Sequence, residues 1–89
     1  MRAVITVVGK DTVGILAKVS AVCSEHNVNV AEVTQSVLQD LFAMIMIVDI
    51  DKLDVSFTVF AEQLEVIGEE MNLKIHIMHE DIFNAMHTI

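Results

Sequence analysis

Two short stretches hold most of the chain's candidate ligand-binding groups. One is Asp11-Thr12-Val13-Gly14-Ile15, and the other is Asn27-Val28-Asn29. Gly9-Lys10-Asp11-Thr12 breaks an almost wholly apolar run, and a helical period begins at Val13. The spacing therefore predicts free backbone N–H groups at Val13, Gly14 and Ile15. Such groups, at the positive end of a helix dipole, attract a carboxylate. Asp11 has the opposite sign and can pair with an ammonium group. Asn29 offers both a donor and an acceptor. An anion site beside a cation site is the combination an α-amino acid requires. The same residues admit a plainer reading, in which Asp11 and Thr12 cap the first turn and Gly14 only packs. On that reading Asn27 closes a helix in the left-handed region and Asn29 ends a turn.

Other reactive residue types carry less. His76 and His79 are three apart on an alternating segment, so they are expected on opposite faces of a strand. His79 and His87 meet only if the tail folds back, and no metal site is expected. Cys23 sits among Val19 and Val22 with no basic neighbour to activate it, which predicts a buried, inert thiol. Asp49, Asp51 and Asp54 resemble part of a calcium loop, but the glycine and distal glutamate are missing. They read as a solvated turn, with Asp54 as a helix cap. No Ser-His-Asp spacing, glycine-rich phosphate loop or carboxylate pair in an apolar setting is present. A non-enzyme without a cofactor is expected.

The chain has 89 residues, enough for one domain spanning 1–89. Five Lys and Arg stand against thirteen Asp and Glu, a net charge of −8, which repels nucleic acid. One cysteine excludes a disulfide scaffold. The longest apolar run, Leu41 to Val48, is far shorter than the roughly 20 residues of a membrane span. The first residues are too short for a secretory signal, so a soluble cytoplasmic protein is expected.

Elements that can position these residues follow from period. Arg2 to Val8 is β-branched and apolar on both faces. Val13 to about His26 is helical, with Ile15, Val19, Val22 and His26 on one side. Val28 to Leu38 alternates between a wet face (Glu32, Thr34, Ser36) and a drier one (Val33, Gln35, Val37). Gln39-Asp40 reverses the chain into Leu41 to Ile50, apolar on both faces, forming a hairpin. Phe57, Phe60, Leu64, Ile67 and Met71 recur at helical spacing. Leu73 to Met78 alternates, and a short helix runs from Glu80 to about residue 88. The order is an α+β, ferredoxin-like βαββαβ sandwich. Right-handed crossovers place both long helices on one face of a four-stranded antiparallel sheet. The other face is apolar enough to require cover from the tail helix and a second copy of the chain. Met44, Met46 and Met78 are candidates for that covered face or for the core.

Several functions of this fold are excluded by the residue that would carry each. An RNA-binding sheet needs aromatics on its first strand, a copper carrier needs paired cysteines in the first loop, and an acylphosphatase needs an arginine there. The first loop here is Gly9-Lys10-Asp11-Thr12 and the one arginine is Arg2. What remains is a positive likeness. Val4 to Val19 (VITVVGKDTVGILAKV), followed by Asn27-Val28-Asn29-Val30 and by Gln35-Ser36 before a hairpin, resembles an ACT domain. The whole chain resembles the small stand-alone ACT-domain proteins. The family usually has proline before the helix glycine, where this chain has Val13. The resemblance implies a regulatory module binding an amino acid or similar small ligand. It also implies modules pairing into a homodimer, often edge to edge as an eight-stranded sheet. Ligand would lie at the interface, against the first loop and the start of the second strand. That puts Asp11, Thr12, Val13, Gly14, Ile15, Asn27 and Asn29 forward as ligand residues, with output to an unknown downstream protein. The alternative is a dimerisation and protein-interaction module with no small ligand.

Overall fold

A computed structural model describes residues 1–10 and 13–86. The elements are β1 (Arg2–Lys10), α1 (Ile15–Glu25), β2 (Asn29–Leu38), β3 (Leu41–Asp49), α2 (Phe57–Met71), β4 (Leu73–His79) and α3 (Glu80–Met86). The strands form one antiparallel sheet in the order β2-β3-β1-β4, the ferredoxin-like arrangement expected from the element order.

The register assigns every strand residue to a face. Ala3, Ile5 and Val7 of β1 lie beside Val48, Met46 and Met44 of β3 and beside His79, Ile77 and Ile75 of β4. These rows pack against Ile15, Val19 and Cys23 of α1 and Phe60, Leu64 and Ile67 of α2 to make the core. Met44 and Met46 are thus core residues beneath the helices, while Met78 lies on the opposite face across from Val4. The methionine set therefore does not form one surface. The sequence could not separate them, because β3 is equally apolar at odd and even positions.

The opposite face carries the rows Glu32-Ile47-Val4-Met78, Thr34-Ile45-Thr6-His76 and Ser36-Ala43-Val8-Lys74. Val4 is buried there, and α3 lies against β1 and β4. Arg2 ties that end to α3, its Nε and Nη2 donating to Glu80 Oε2 at 3.0 and 2.6 Å. Further along, Val8 and Ile45 are exposed. The tail helix covers part of the helix-free face and leaves the rest open.

β2 differs from the expectation of one drier face. It lies at the sheet edge, and Val37, on the helix side, is 57% exposed. Helix α1 contacts β2, and Val30 near its start packs on the core, but Val33 and Val37 further along are exposed, so alternation there marks no core. A bulge at Ala31, where the register shifts between Val30 and Glu32, adds local twist to this edge.

Helix ends carry the remaining corrections. α1 starts at Ile15 rather than Val13, because Gly14 is its N-cap with φ +84°, a conformation that resists any side chain. α2 is capped by Ser56, whose Oγ accepts the Val59 N–H at 3.2 Å, not by Asp54. Gly68 in α2 allows a close approach: a Cβ there would lie 2.8 Å from the Leu73 carbonyl oxygen.

Candidate functional site

The first loop reaches α1 through Val13 and Gly14. Val13 is 98% exposed, and among the described residues nothing beyond its chain neighbours lies within 4 Å of where a Gly14 Cβ would stand. Gly14 is therefore required by conformation, not by packing as the plainer reading had it. Ile15 is buried and anchors the helix start in the core. The first helical bond runs from the Lys18 N–H to the Gly14 carbonyl at 3.0 Å. The backbone N–H groups that precede this first intrahelical donor are consequently Gly14, Ile15, Leu16 and Ala17, so the predicted Gly14 and Ile15 remain among them. Asp11 and Thr12 lie outside the described residues, as do the proposed caps they would supply and His87.

The second stretch begins where α1 ends. The Asn27 N–H donates to the Ser24 carbonyl at 3.3 Å and the Val28 N–H to the Cys23 carbonyl at 2.8 Å. With Asn27 at φ +61°, this is a Schellman end, and buried Val28 supplies its apolar contact. Asn29 opens β2 opposite Asp49. Asn27, Asn29, Asp49, Asp51 and Lys52 line a hollow of about 230 Å³. Asp49 accepts the Asp51 N–H at 2.9 Å, and the Met1 ammonium pairs with the Asp51 carboxylate. That pairing raises the ammonium pKa and lowers that of Asp51.

The described residues of these two stretches do not meet within one chain. Lys10, which leads into the first loop, pairs with Leu41 at one end of the sheet. Asn29 pairs with Asp49 at the other end. Between them runs α1, whose 11 residues span about 16 Å. Among the described residues, the candidates Val13, Gly14 and Ile15 lie at one end of α1 and Asn27 and Asn29 at the other, as two candidate half-sites.

Beside the second half-site is a contact that pattern reading missed. His26 Nδ1 lies 2.7 Å from Asp54 Oδ1, and the imidazole meets Phe60 edge-on with ring centroids 5.9 Å apart. The hydrogen bond to Asp54 raises the His26 pKa. The two residues are 28 apart in sequence, so no local signal could pair them. Cys23 is fully buried, and desolvation pushes its thiol up to about 11. His76 lies on the helix-free face beside Thr6, while His79 on the other face stacks on Phe57 with centroids 4.5 Å apart. Among the described residues no three His, Cys, Asp or Glu side chains converge as a metal site would require.

A four-stranded βαββαβ module with both long helices on one face and Gly14 pinning the start of α1 defines the ferredoxin-like class. The pattern of the ACT domain matches residues 2–79, and the chain belongs to that family of regulatory small-ligand-binding modules. A UPF0237 protein of Methanopyrus kandleri is 47% identical over 88 residues, covering 99% of this chain and 98% of its own. An ACT domain protein from Streptococcus pneumoniae superposes with a TM-score of 0.81 at 40% identity, covering 98% of both chains. The regulatory subunit of aspartate kinase from Thermus thermophilus superposes with a TM-score of 0.66 at 25% identity, covering 86% of this chain and 50% of that one. No helix of the described residues is long and apolar enough to cross a membrane.

Proposed function

We propose that this chain is a non-catalytic regulatory module, one unit over residues 1–89, that senses an amino acid at a homodimer interface. The observation that carries the reading is the separation of the two half-sites together with the open edge of β2. Antiparallel pairing of β2 with its copy brings the start of one strand beside the end of the other. The end of β2 lies at the same end of the sheet as the first loop, because Leu38, Leu41 and Lys10 are successive register partners. Asn27 and Asn29 of one copy then approach Asp11, Thr12, Val13, Gly14 and Ile15 of the other. Two such sites form per dimer, related by the two-fold axis. The likeness to a regulatory subunit of aspartate kinase supports a regulatory output. The lone buried thiol suits a reducing cytoplasm.

A ligand that binds only the folded dimer stabilises it by mass action. At ten times its Kd the gain is about 1.4 kcal/mol, or roughly 5–10 °C in Tm for a domain of this size. A thermal-shift screen of the twenty amino acids at millimolar concentration should show such a rise for one or a few of them. A flat screen removes the amino-acid reading. Sedimentation at micromolar concentration should show a dimer, and a monomer alone removes the interface.

A further inference from the structure

The helices leave an open groove between them that the ligand reading does not use. It holds about 640 Å³ and is lined by Val22, Glu25 and His26 of α1 and its end, and by α2 residues including Val59, Glu62 and Val66. Val59 is 41% exposed and Val66 52%, although both face a trough rather than a convex surface. They are seven residues apart on α2, so their anchors repeat after two turns, about 10.5 Å. That is the spacing at which an amphipathic helix presents its own apolar side chains. Val22 and Ile67 complete an apolar floor.

The groove holds two carboxylates against one imidazole, His26, which is itself bonded to Asp54. Glu25 stands on the α1 side and Glu62 on the α2 side, and no Lys or Arg lines it. Glu65 and Glu69 lie on the other side of α2, beside Lys74 and His76 of β4, and are not part of this groove. A second copy of this chain is disfavoured as occupant, because its own groove carries the same acid and its net charge is −8. A small polar ligand is disfavoured as well, since no buried polar side chain without a partner is aimed into the groove among the described residues.

We propose that the groove between α1 and α2 is a docking site for a basic amphipathic helix of a partner protein. Its apolar side chains would sit on Val22, Val59 and Val66, and its Lys or Arg would flank Glu25 and Glu62. The α2 wall of the groove belongs to the helix that packs on β4, at the sheet edge opposite β2, so docking there does not depend on an amino-acid ligand.

The test titrates the full chain with three synthetic peptides of equal length. The first is a Leu/Lys amphipathic helix, the second its Leu/Glu counterpart, and the third a Leu/Lys scramble with no apolar face. The first should bind with a Kd on the order of tens of micromolar and shift the amide resonances of Val22, His26, Val59 and Val66. The other two should bind at least about tenfold more weakly. Val66→Glu and Glu62→Lys should each weaken the first peptide by about tenfold, with unchanged circular dichroism. Glu32→Lys makes the same change of net charge on β2 and should leave the affinity within about twofold. Equal binding of the scramble overturns the proposal, as does an equal loss for Glu32→Lys or resonance shifts confined to the helix-free face. A Val66→Glu variant that becomes monomeric would instead assign the groove to self-association.

Discussion

On the two central strands, β1 and β3, the two faces of the sheet carry similarly apolar side chains, yet they have different fates. On β1, Ala3, Ile5 and Val7 are sealed under the helices, while Thr6 and Val8 one residue away remain accessible. On β3, Met44 and Met46 are sealed, and Ile45 between them is 40% exposed. Hydrophobicity therefore does not decide burial here. The right-handed crossovers do, because they put both long helices on one side. The apolar residues left on the other side are surplus to the monomer and available to an assembly.

The largest effect should come from comparing neighbours across that divide. Met46→Ala should lower stability by about 2–5 kcal/mol in urea denaturation, as expected for a sealed core position. Ile45→Ala should cost less than about 1 kcal/mol in dilute protein. If the two variants lose the same amount, the bare face is covered in solution. A cost for Ile45→Ala that grows with protein concentration would identify that cover as a second copy.

Gly68→Ala sharpens the comparison on the covered side. Alanine is the better helix former by about 1 kcal/mol, yet its methyl would press on the Leu73 carbonyl oxygen. A net loss of about 1–3 kcal/mol is expected, read by the same urea titration. A gain would show that α2 is free to lift from β4. Gly14→Ala tests the exposed first loop, where nothing crowds the new methyl and only the left-handed backbone resists it. A loss of about 1–2 kcal/mol is expected, with any amino-acid response in thermal shift falling further than stability itself.

The smallest effect concerns pH. Hydrogen bonding to Asp54 raises the His26 pKa above its ordinary 6.5. The pair therefore stabilises the fold fully below pH 6.5 and loses that contribution as pH rises through the raised value. Asp54→Asn should lower Tm in mildly acidic buffer and leave it nearly unchanged in alkaline buffer. A Tm difference independent of pH would assign the contact a purely steric role.

Much of this fold was legible in the chain. The stripe Phe57, Phe60, Leu64, Ile67 and Met71 lies toward the core along α2, with the middle three residues sealed and both ends half-buried. Asn27 ends α1 in the left-handed region. Other features have no local signature. Nothing in the sequence of β3 distinguishes its two apolar faces, and nothing near Asp54 shows that it will meet His26 instead of capping α2. Gly14 was legible as a glycine but not as a positive φ, so the helix start came two residues later than the hydrophobic period implies. The candidate site was legible as residue types, whereas its division between opposite ends of α1 depends on strand direction in three dimensions.

The buried sulfur of Cys23 has a practical corollary. With its thiol pushed up to about 11 and no solvent access in the closed fold, a thiol reagent can reach it only when α1 lifts from the sheet. As the single cysteine of the chain, it is an internal clock for that opening. The labelling rate counts how often the molecule breathes. Any small molecule or peptide that slows the clock can be found without an added chromophore or a known activity.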